Sequence, residues 1–149
     1  MRAMTENEID KLVSDSNWAT IITVNPDGSP YAIEATPFDL EGEVCFMINP
    51  NGTTKKNIEN SKAVLLKYTL AGKDLTVWAG VSLMGTGGFV HDPERISKGW
   101  DRLGKVMGAD YSEVSLKFVK NPERSPLFAV KVREKTGRCS AKAGEAFEY

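Results

Sequence analysis

The pattern of apolar and polar positions predicts a mainly β chain that begins with a helix. Apolar residues recur at the helical period behind a capping box formed by Thr5 and Glu8, which predicts an amphipathic helix over residues 5–16. Beyond it, β-branched and alternating residues predict strands separated by turns rich in Gly, Asn and Asp. The predicted strands cover residues 19–24, 30–38, 43–49, 63–70, 75–84 and 127–132.

Two further helices interrupt the strands. A short helix is predicted over residues 55–61, after the third strand. A longer one should begin with Asp92 at the N-cap and Pro93 at the first helical position, and end at Gly108. The glycine-rich segment 85–88, at the end of the fifth strand, allows a bulge or a sharp coil.

Together these elements predict the fold class. Six or seven strands, mostly joined by short turns, form an antiparallel sheet that curls into a β-barrel with flanking helices. The 149 residues suffice for one domain with a real core, so a single domain over residues 1–149 is expected. Its C-terminus reads as a polar tail over about residues 137–149.

Composition narrows the class of function. The net charge is −1, from 19 basic and 20 acidic residues, so no general basic field exists to hold nucleic acid. No apolar stretch approaches the roughly 20 residues that a membrane-spanning helix needs. The N-terminus lacks the apolar segment of a secretory signal, so a cytoplasmic location is expected.

The cysteines and the single histidine argue against a metal centre. Cys45 lies in an apolar strand and Cys139 in the polar tail, a spacing that fits neither a disulfide framework nor a zinc site. Cys45 is expected to be a buried, inert thiol. Because His91 is the only imidazole, no histidine cluster can bind a metal, and none is predicted.

The segment 48–57 carries the clearest binding signal. Turn formers stop a strand, Thr53 and Thr54 then offer hydroxyl and N–H donors, and Lys55 and Lys56 add positive charge. This combination suits a phosphate at the start of a helix. The same residues are also typical of an ordinary helix cap followed by solvated lysines. The spacing of a P-loop is missing.

The order of elements carries a family resemblance. An Asn-Pro-Asp-Gly-Ser-Pro turn at 25–30 joins the first two strands, and Thr-Thr-Lys-Lys-Asn-Ile-Glu-Asn follows the third at 53–60. A Gly-rich strand then ends in Val-His-Asp-Pro-Glu at 90–94. Over most of residues 5–135 the chain resembles the pyridoxamine 5′-phosphate oxidase-like, FMN-binding split-barrel proteins, which include the nitroimidazole-resistance (Nim-type) flavoproteins.

This resemblance implies a split-barrel homodimer with FMN bound at each of two subunit interfaces. The FMN phosphate would be held after the third strand, and the second strand and the end of the third would lie along the flavin ring and ribityl chain. The cofactor-binding residues implied in this way are Glu34, Ala35, Thr36, Ile48, Asn49, Thr53, Thr54, Lys55 and Lys56.

Two departures limit which activity the resemblance implies. Pyridoxamine phosphate oxidases carry basic residues on the second strand, but residues 30–38 contain none, which argues against vitamin B6 oxidation. Nim-type proteins often carry a histidine near the end of the third strand, where this chain has Met47. Nitro-group chemistry is therefore not implied.

Other conspicuous residues have structural interpretations. His91, beside Asp-Pro at a helix start, is expected to be a solvated loop residue, although haem ligation is conceivable. Trp78 and Trp100 are expected to pack in the core or a dimer interface at least as readily as on a ligand. Three basic residues share one helical face, for which a solvated role is expected: Arg95, Lys98 and Arg102.

These observations favour an FMN-dependent oxidoreductase acting on a small molecule. The flavin supplies the redox chemistry, so a missing catalytic triad does not argue against an enzyme, and no catalytic side chain is predicted. Two alternatives stay open: the same fold with deazaflavin or haem, and a non-enzymatic flavin-binding module or binding domain.

Overall fold

A computed structural model describes residues 1–149, with eight strands, four α-helices and one short 3-10 turn. The strands are β1 (Arg2–Ala3), β2 (Ala19–Val24), β3 (Pro30–Ala35), β4 (Phe38–Leu40), β5 (Glu43–Met47), β6 (Ala63–Ala71), β7 (Trp78–Phe89) and β8 (Leu127–Cys139). The helices are α1 (Glu6–Asp15), α2 (Thr53–Asn60), α3 (Pro93–Met107) and α4 (Ser112–Lys120).

The strands form one antiparallel sheet in the order β3-β2-β6-β7-β8-β5-β4, with β1 added alongside β8. The two edge strands, β3 and β4, are consecutive in the chain, and only Thr36 and Pro37 separate them. The two edges of the sheet are therefore held close together, and the sheet must curl. The result is a barrel that is split between β3 and β4, which confirms the predicted fold class.

The main core fills the inside of this barrel. Side chains that alternate along the central strands point inward, and Ile21, Leu66 and Val81 are each at most 1% exposed. α1 contributes Ile9 and Leu12 to the same cluster. Its apolar stripe therefore covers one end of the barrel, as the helical period of the sequence predicts.

A second core lies outside the barrel, where α3 and α4 pack on β4, β5 and β8. Ile96 of α3 and Leu127 of β8 are completely buried there, together with Cys45. Trp100 stacks on Phe118 of α4 with ring centroids 5.8 Å apart. Trp100 is therefore a core residue. The sequence patterns did not predict α4.

The predicted second strand, over residues 30–38, is two strands in the structure. β3 ends at Ala35 and β4 begins at Phe38. Pro37 lies between them, and proline cannot donate to a strand ladder. The break moves the chain from one edge of the sheet to the other.

The glycine-rich segment does not end the fifth strand. β7 continues to Phe89, with an irregularity in its pairing with β8 between Met84 and Gly85. The bulge, one of the two predicted outcomes, is thus confirmed. The predicted bounds 75–84 are wrong at both ends, because β7 begins at Trp78 and ends at Phe89. A Cβ on Gly85 would overlap the Lys131 carbonyl oxygen, so only glycine fits this close approach.

β8 is also longer than the predicted 127–132, because its pairing with β7 extends to Cys139. Cys139 is completely buried, contrary to the polar environment expected for it. Cys45 is also completely buried, as predicted, and burial raises the pKa of its thiol to about 12. The two cysteines are free. None of the four helices has the length and apolar content needed to cross a bilayer.

Both termini of the chain are fastened to α1 through Glu8. The predicted capping box with Thr5 is present, and the Arg2 guanidinium donates to the Glu8 carboxylate at 2.6 and 2.9 Å. The Phe147 N–H donates to the same carboxylate at 3.2 Å. The Arg2 side chain and these backbone donors hold the pKa of Glu8 well below its ordinary value.

A Glu8→Gln variant is expected to lose about 1–2 kcal/mol of stability near neutral pH, because it weakens a cap and a charge-assisted hydrogen bond. A lowered folded-state pKa gives stability that is present above the unfolded pKa of about 4.3 and is lost as the pH falls through the folded value. Urea unfolding should therefore show that the stability difference between wild type and Glu8→Gln shrinks as the pH falls below about 4.3. Glu6→Gln, in the same helical turn, is the control and should change stability by less than about 0.5 kcal/mol.

Candidate functional site

The loop that follows β5 directs the chain into α2. Ile48 is buried and its N–H donates to the Pro126 carbonyl at 3.0 Å. The Asn49 side chain then accepts the Asn51 N–H at 2.9 Å, which stabilises the turn. α2 begins at Thr53, two residues before the predicted start, so both threonines lie in its first turn.

The first turn of α2 offers donors to an anion. Gly52 is the N-cap and no side chain caps the helix, and the turn contains no acidic residue. The N–H groups of Thr53, Thr54 and Lys55 precede the first intrahelical bonds, so the helix itself gives them no acceptor. α3 and α4 also begin without a side-chain cap, whereas α1 has a complete capping box; α2 differs from the other three helices in having no acidic residue in its first turn. The helix dipole adds positive potential there.

The side chains of this turn divide into two pairs. Thr54 is 3% exposed, and the Lys55 side chain is 32% exposed with its ammonium 5.8 Å from the centre of the Phe89 ring. Thr53 and Lys56 are exposed. Lys55 approaches Glu59 at 4.0 Å, a loose pair between partly solvated groups. Thr54 and Lys55 thus lie against the barrel and the other two face solvent.

Asn57 fixes α2 to the barrel, a role that the sequence did not indicate. Its side-chain amide donates to the Thr23 hydroxyl and to the Asn25 side-chain oxygen, both at 3.0 Å. Asn57 is 1% exposed, and its own side-chain oxygen is buried without a partner. Asparagine has a poor helix propensity, so its presence inside a short helix was the one sequence feature that could have pointed to a tertiary role.

The predicted residues of β3 lie away from α2. Ala35 pairs with Ala19 at the start of β2, whereas α2 is bonded to Thr23 and Asn25 at the end of β2. At about 3.3 Å per residue, this separation along the strand is roughly 13 Å or more. Glu34 accepts a hydrogen bond from the Trp18 indole at 3.2 Å, and Thr36 follows in the β3–β4 connection.

The structure therefore brings Ile48 and Asn49 together with Thr53–Lys56, and it does not bring Glu34–Thr36 to them. Only an elongated ligand could contact both groups. A nucleotide-like cofactor with its phosphate at α2 and its ring farther along the barrel has such a shape.

Met47, at the position where Nim-type proteins often carry histidine, faces α3. Its terminal methyl carbon lies 3.0 Å from the place where a Cβ on Gly99 would stand. Met47 is half-buried and packs on the outer core between the sheet and α3. It is a packing residue.

His91 and Trp78 each make one hydrogen bond between a backbone atom and a side-chain atom. His91 is exposed in the connection before α3, and its Nδ1 lies 2.9 Å from the Pro122 carbonyl. Because a carbonyl only accepts, Nδ1 carries the proton in this contact. Trp78 is half-buried at the start of β7, where its N–H donates to the Ser140 hydroxyl at 3.1 Å. His91 is thus an exposed loop residue, as predicted.

The basic face of α3 is not simply solvated, contrary to the sequence-based interpretation. All three side chains contact the β4–β5 hairpin. Arg95 binds Glu43 at 2.7 Å, Lys98 binds Glu41 at 3.2 Å, and Arg102 donates to the Asp39 carbonyl at 3.1 Å. The face joins α3 to the edge of the sheet.

The fold and the site define a split-barrel protein with an uncapped, acid-free helix start beside its sheet. A sequence model of the family described as pyridoxamine 5′-phosphate oxidase matches residues 5–139. The chain belongs to the pyridoxamine 5′-phosphate oxidase family, which confirms the resemblance seen in the sequence. No curated protein sequence matches the chain.

Solved structures share this fold at low sequence identity. One is a putative 5-nitroimidazole antibiotic resistance protein from Bacteroides thetaiotaomicron, with 13% identity, TM-score 0.74, and 93% of this chain and 86% of that one covered. An FAD-binding protein from Mesorhizobium loti has 16% identity and a TM-score of 0.68, and the match covers 94% of this chain and 98% of that protein. The heme storage protein HutZ from Vibrio cholerae has 14% identity and a TM-score of 0.62, and the match covers 87% of this chain and 90% of that protein. These similarities show the fold alone.

Proposed function

We propose that the chain binds FMN with the phosphate at the start of α2, and acts as an FMN-dependent oxidoreductase on a small molecule. The observation that carries this proposal is the uncapped, acid-free first turn of α2 with Thr54 and Lys55 held against the barrel. Assembly as a homodimer and the cytoplasmic location expected from the sequence belong to the same proposal.

The residues of this turn fit a phosphate. Its oxygens need several donors and a nearby positive charge, and the backbone N–H groups of Thr53–Lys55 with the Lys55 ammonium supply both. The Thr53 and Thr54 hydroxyls can donate as well. Gly52, which has no side chain, leaves the approach to these N–H groups open. When bound, the flavin supplies hydride or electron transfer.

Membership in the pyridoxamine 5′-phosphate oxidase family supports a flavin as the cofactor. The Mesorhizobium loti neighbour, described as an FAD-binding protein, points the same way. The chain's own role would be to orient the flavin and exclude water around it, with Ile48 and Asn49 on the approach to the phosphate and Glu34–Thr36 toward the ring.

Haem is the second candidate. One structural neighbour is a heme storage protein, and the Pro122 carbonyl engages His91 Nδ1 in a way that leaves Nε2 free to ligate iron. Against this, His91 is exposed and the phosphate-binding arrangement at α2 has no role in ligating iron. FMN is therefore the preferred ligand, and haem is an alternative outcome of the experiment below. Deazaflavin is another.

Surface area supports the homodimer. The chain exposes 8715 Å², whereas a compact monomer of 16.4 kDa exposes about 7,500 Å². Trp18, at 57% exposure, lies just before β2, and Val24, at 38%, is the last residue of β2, which pairs with the edge strand β3. A twofold partner would cover such apolar surface and the free edge.

The test is to identify what copurifies with the native protein and then to titrate the cofactor-free protein. Mass spectrometry should find FMN, and the protein should show the yellow absorption of oxidised flavin. FMN should bind more tightly than riboflavin, which lacks the phosphate. Light scattering should give twice the chain mass. A colourless protein that takes up no FMN, or a haem spectrum with iron-bound porphyrin, would contradict the proposal.

A further inference from the structure

A groove of about 810 Å³ crosses the outer face of the sheet, over β6, β7 and β8. Successive residues of a strand face opposite sides, so the neighbours of the buried core residues Tyr68 and Val81 point away from the barrel interior and into this groove. Its floor has two cross-strand rows: Lys67, Ser82 and Thr136 in one, and Thr69, Gly80 and Arg138 in the next. The groove shares no lining residue with α2 or with the loop before it.

Two cations meet at the floor of the groove because Gly80 has no side chain. The Lys67 ammonium donates to the Ser82 hydroxyl at 3.2 Å and lies 3.3 Å from the place where a Cβ on Gly80 would stand. Arg138 is the cross-strand partner of Gly80 on β8, so its Cβ lies about 5 Å from that same place. The two basic side chains are therefore neighbours over an empty position. Like charges placed so close are unfavourable unless an anion lies between them.

No carboxylate of the chain balances these two charges. The wall of the groove contains no aspartate or glutamate, and Lys67 and Arg138 take part in none of the chain's ion pairs. The third cation of the wall, Lys135, binds Asp10 of α1 at 2.8 Å. Glu134, the next acidic residue back along β8, does not line the groove. The electrostatics of the groove therefore favour an anionic occupant.

An aromatic side chain lies beside the two cations. Trp78 also lines the groove and is half-buried; it is two residues from Gly80 on β7, so it faces the same side about 7 Å along the strand. Its indole offers a flat apolar surface on which another ring can pack. The planar guanidinium of Arg138 matches the two oxygens of a carboxylate, and the open floor at Gly80 admits a planar group.

We propose that this groove binds an aromatic carboxylate. The carboxylate oxygens accept hydrogen bonds from the Arg138 guanidinium and the Lys67 ammonium, and the ring packs against Trp78. The inference is independent of the flavin proposal, because Phe89, beside which Lys55 lies, is nine residues farther along β7 than the groove floor. That separation is about 30 Å along the strand.

2-Naphthoate and 2-naphthamide, which has the same shape without the charge, test the proposal. Each is titrated into the full chain while backbone amide signals are followed by NMR. 2-Naphthoate should shift the amides of Gly80, Ser82 and Arg138. It should also bind about tenfold more tightly than 2-naphthamide, because hydrogen bonds between charged groups are the stronger ones.

Three variants locate the carboxylate, and a fourth controls for charge. Arg138→Gln and Lys67→Gln should each weaken 2-naphthoate binding about tenfold. Lys117→Gln removes an equal charge from an exposed position on α4 and should change the affinity by less than about twofold. Gly80→Leu fills the position between the cations and should abolish binding. Its fold should be retained, as circular dichroism can verify, because a Cβ there meets only the flexible end of the Lys67 side chain within 4 Å.

Lys55→Glu, at the start of α2, should bind 2-naphthoate as the wild type does, so a failure of this proposal is distinct from a failure of the flavin proposal. The proposal is overturned if 2-naphthoate does not bind up to its solubility limit, which would indicate that solvent or a second copy of the chain covers the groove. It is also overturned if the shifts lie elsewhere, or if 2-naphthamide binds equally well. Equal losses in Lys117→Gln and Arg138→Gln, or wild-type binding by Gly80→Leu, would overturn it too.

Discussion

A Lys55→Glu variant is expected to bind FMN roughly 100-fold more weakly than the wild type, a change of about 3 kcal/mol. The substitution removes a charge-assisted hydrogen bond to the phosphate and places a negative charge beside it. Fluorescence titration of the cofactor-free protein measures the change. Folding should be little affected, because Lys55 contributes only a loose contact to Glu59 at 4.0 Å.

Two controls separate a phosphate contact from a general effect of charge. Lys62→Glu makes the same charge change at an exposed position beyond the other end of α2, and it should reduce FMN affinity no more than about threefold. Riboflavin affinity should hardly change in Lys55→Glu. Equal losses for FMN and riboflavin, or equal losses in the two variants, would show that Lys55 does not contact the phosphate.

Gly85→Ala is expected to destabilise the fold by about 3 kcal/mol or more. The new Cβ would overlap the Lys131 carbonyl oxygen and stand 2.8 Å from the carbonyl carbon, so the backbones of β7 and β8 must separate at the bulge. Chemical denaturation of wild type and variant measures the difference in the free energy of unfolding.

Gly88→Ala is the matched control on the same strand. A Cβ there would meet nothing within 4 Å, so no clash arises. The variant should stay within about 0.5 kcal/mol of the wild type or gain slightly, because alanine restricts the unfolded chain. If Gly85→Ala proves as stable as Gly88→Ala, β7 and β8 do not approach each other as closely as the structure has them.

The sequence predicted correctly the helix ends that depend only on interactions between neighbouring residues. The capping box at Thr5 and Glu8 placed α1, and Asp92-Pro93 with Gly108 placed both ends of α3. Gly108 adopts the left-handed conformation, with φ of 64°, that glycine readily allows at a helix end. These features need only neighbouring residues, so one sequence suffices to find them.

Long-range packing decided what the sequence did not predict. β8 extends to Cys139 because β7 pairs with it over almost its whole length. The residues of β8 after position 132 are mostly polar, so the sequence did not indicate that they have a partner strand. Likewise Arg95 and Lys98 pair with Glu43 and Glu41, acids some fifty positions away in the chain.

The candidate site shows the same division. The phosphate-binding pattern at Thr53–Lys56 could be predicted because its residues are consecutive in the sequence. The structure adds that Thr54 and Lys55 are the ones that lie against the barrel. Asn57, which fastens α2 to Thr23 and Asn25, was missed because its partners lie at the end of β2, more than thirty positions away in the chain. Glu34–Thr36 entered the site through family resemblance, and their place along a bound flavin stays a prediction.

The central claim is that the start of α2 binds the phosphate of FMN, and backbone amide NMR of the ¹⁵N-labelled protein tests it most directly. When FMN is added, the largest amide shifts should appear at Thr53, Thr54 and Lys55, and riboflavin should leave these three signals nearly unmoved. FMN that binds without shifting them, or that does not bind at all, would contradict the claim.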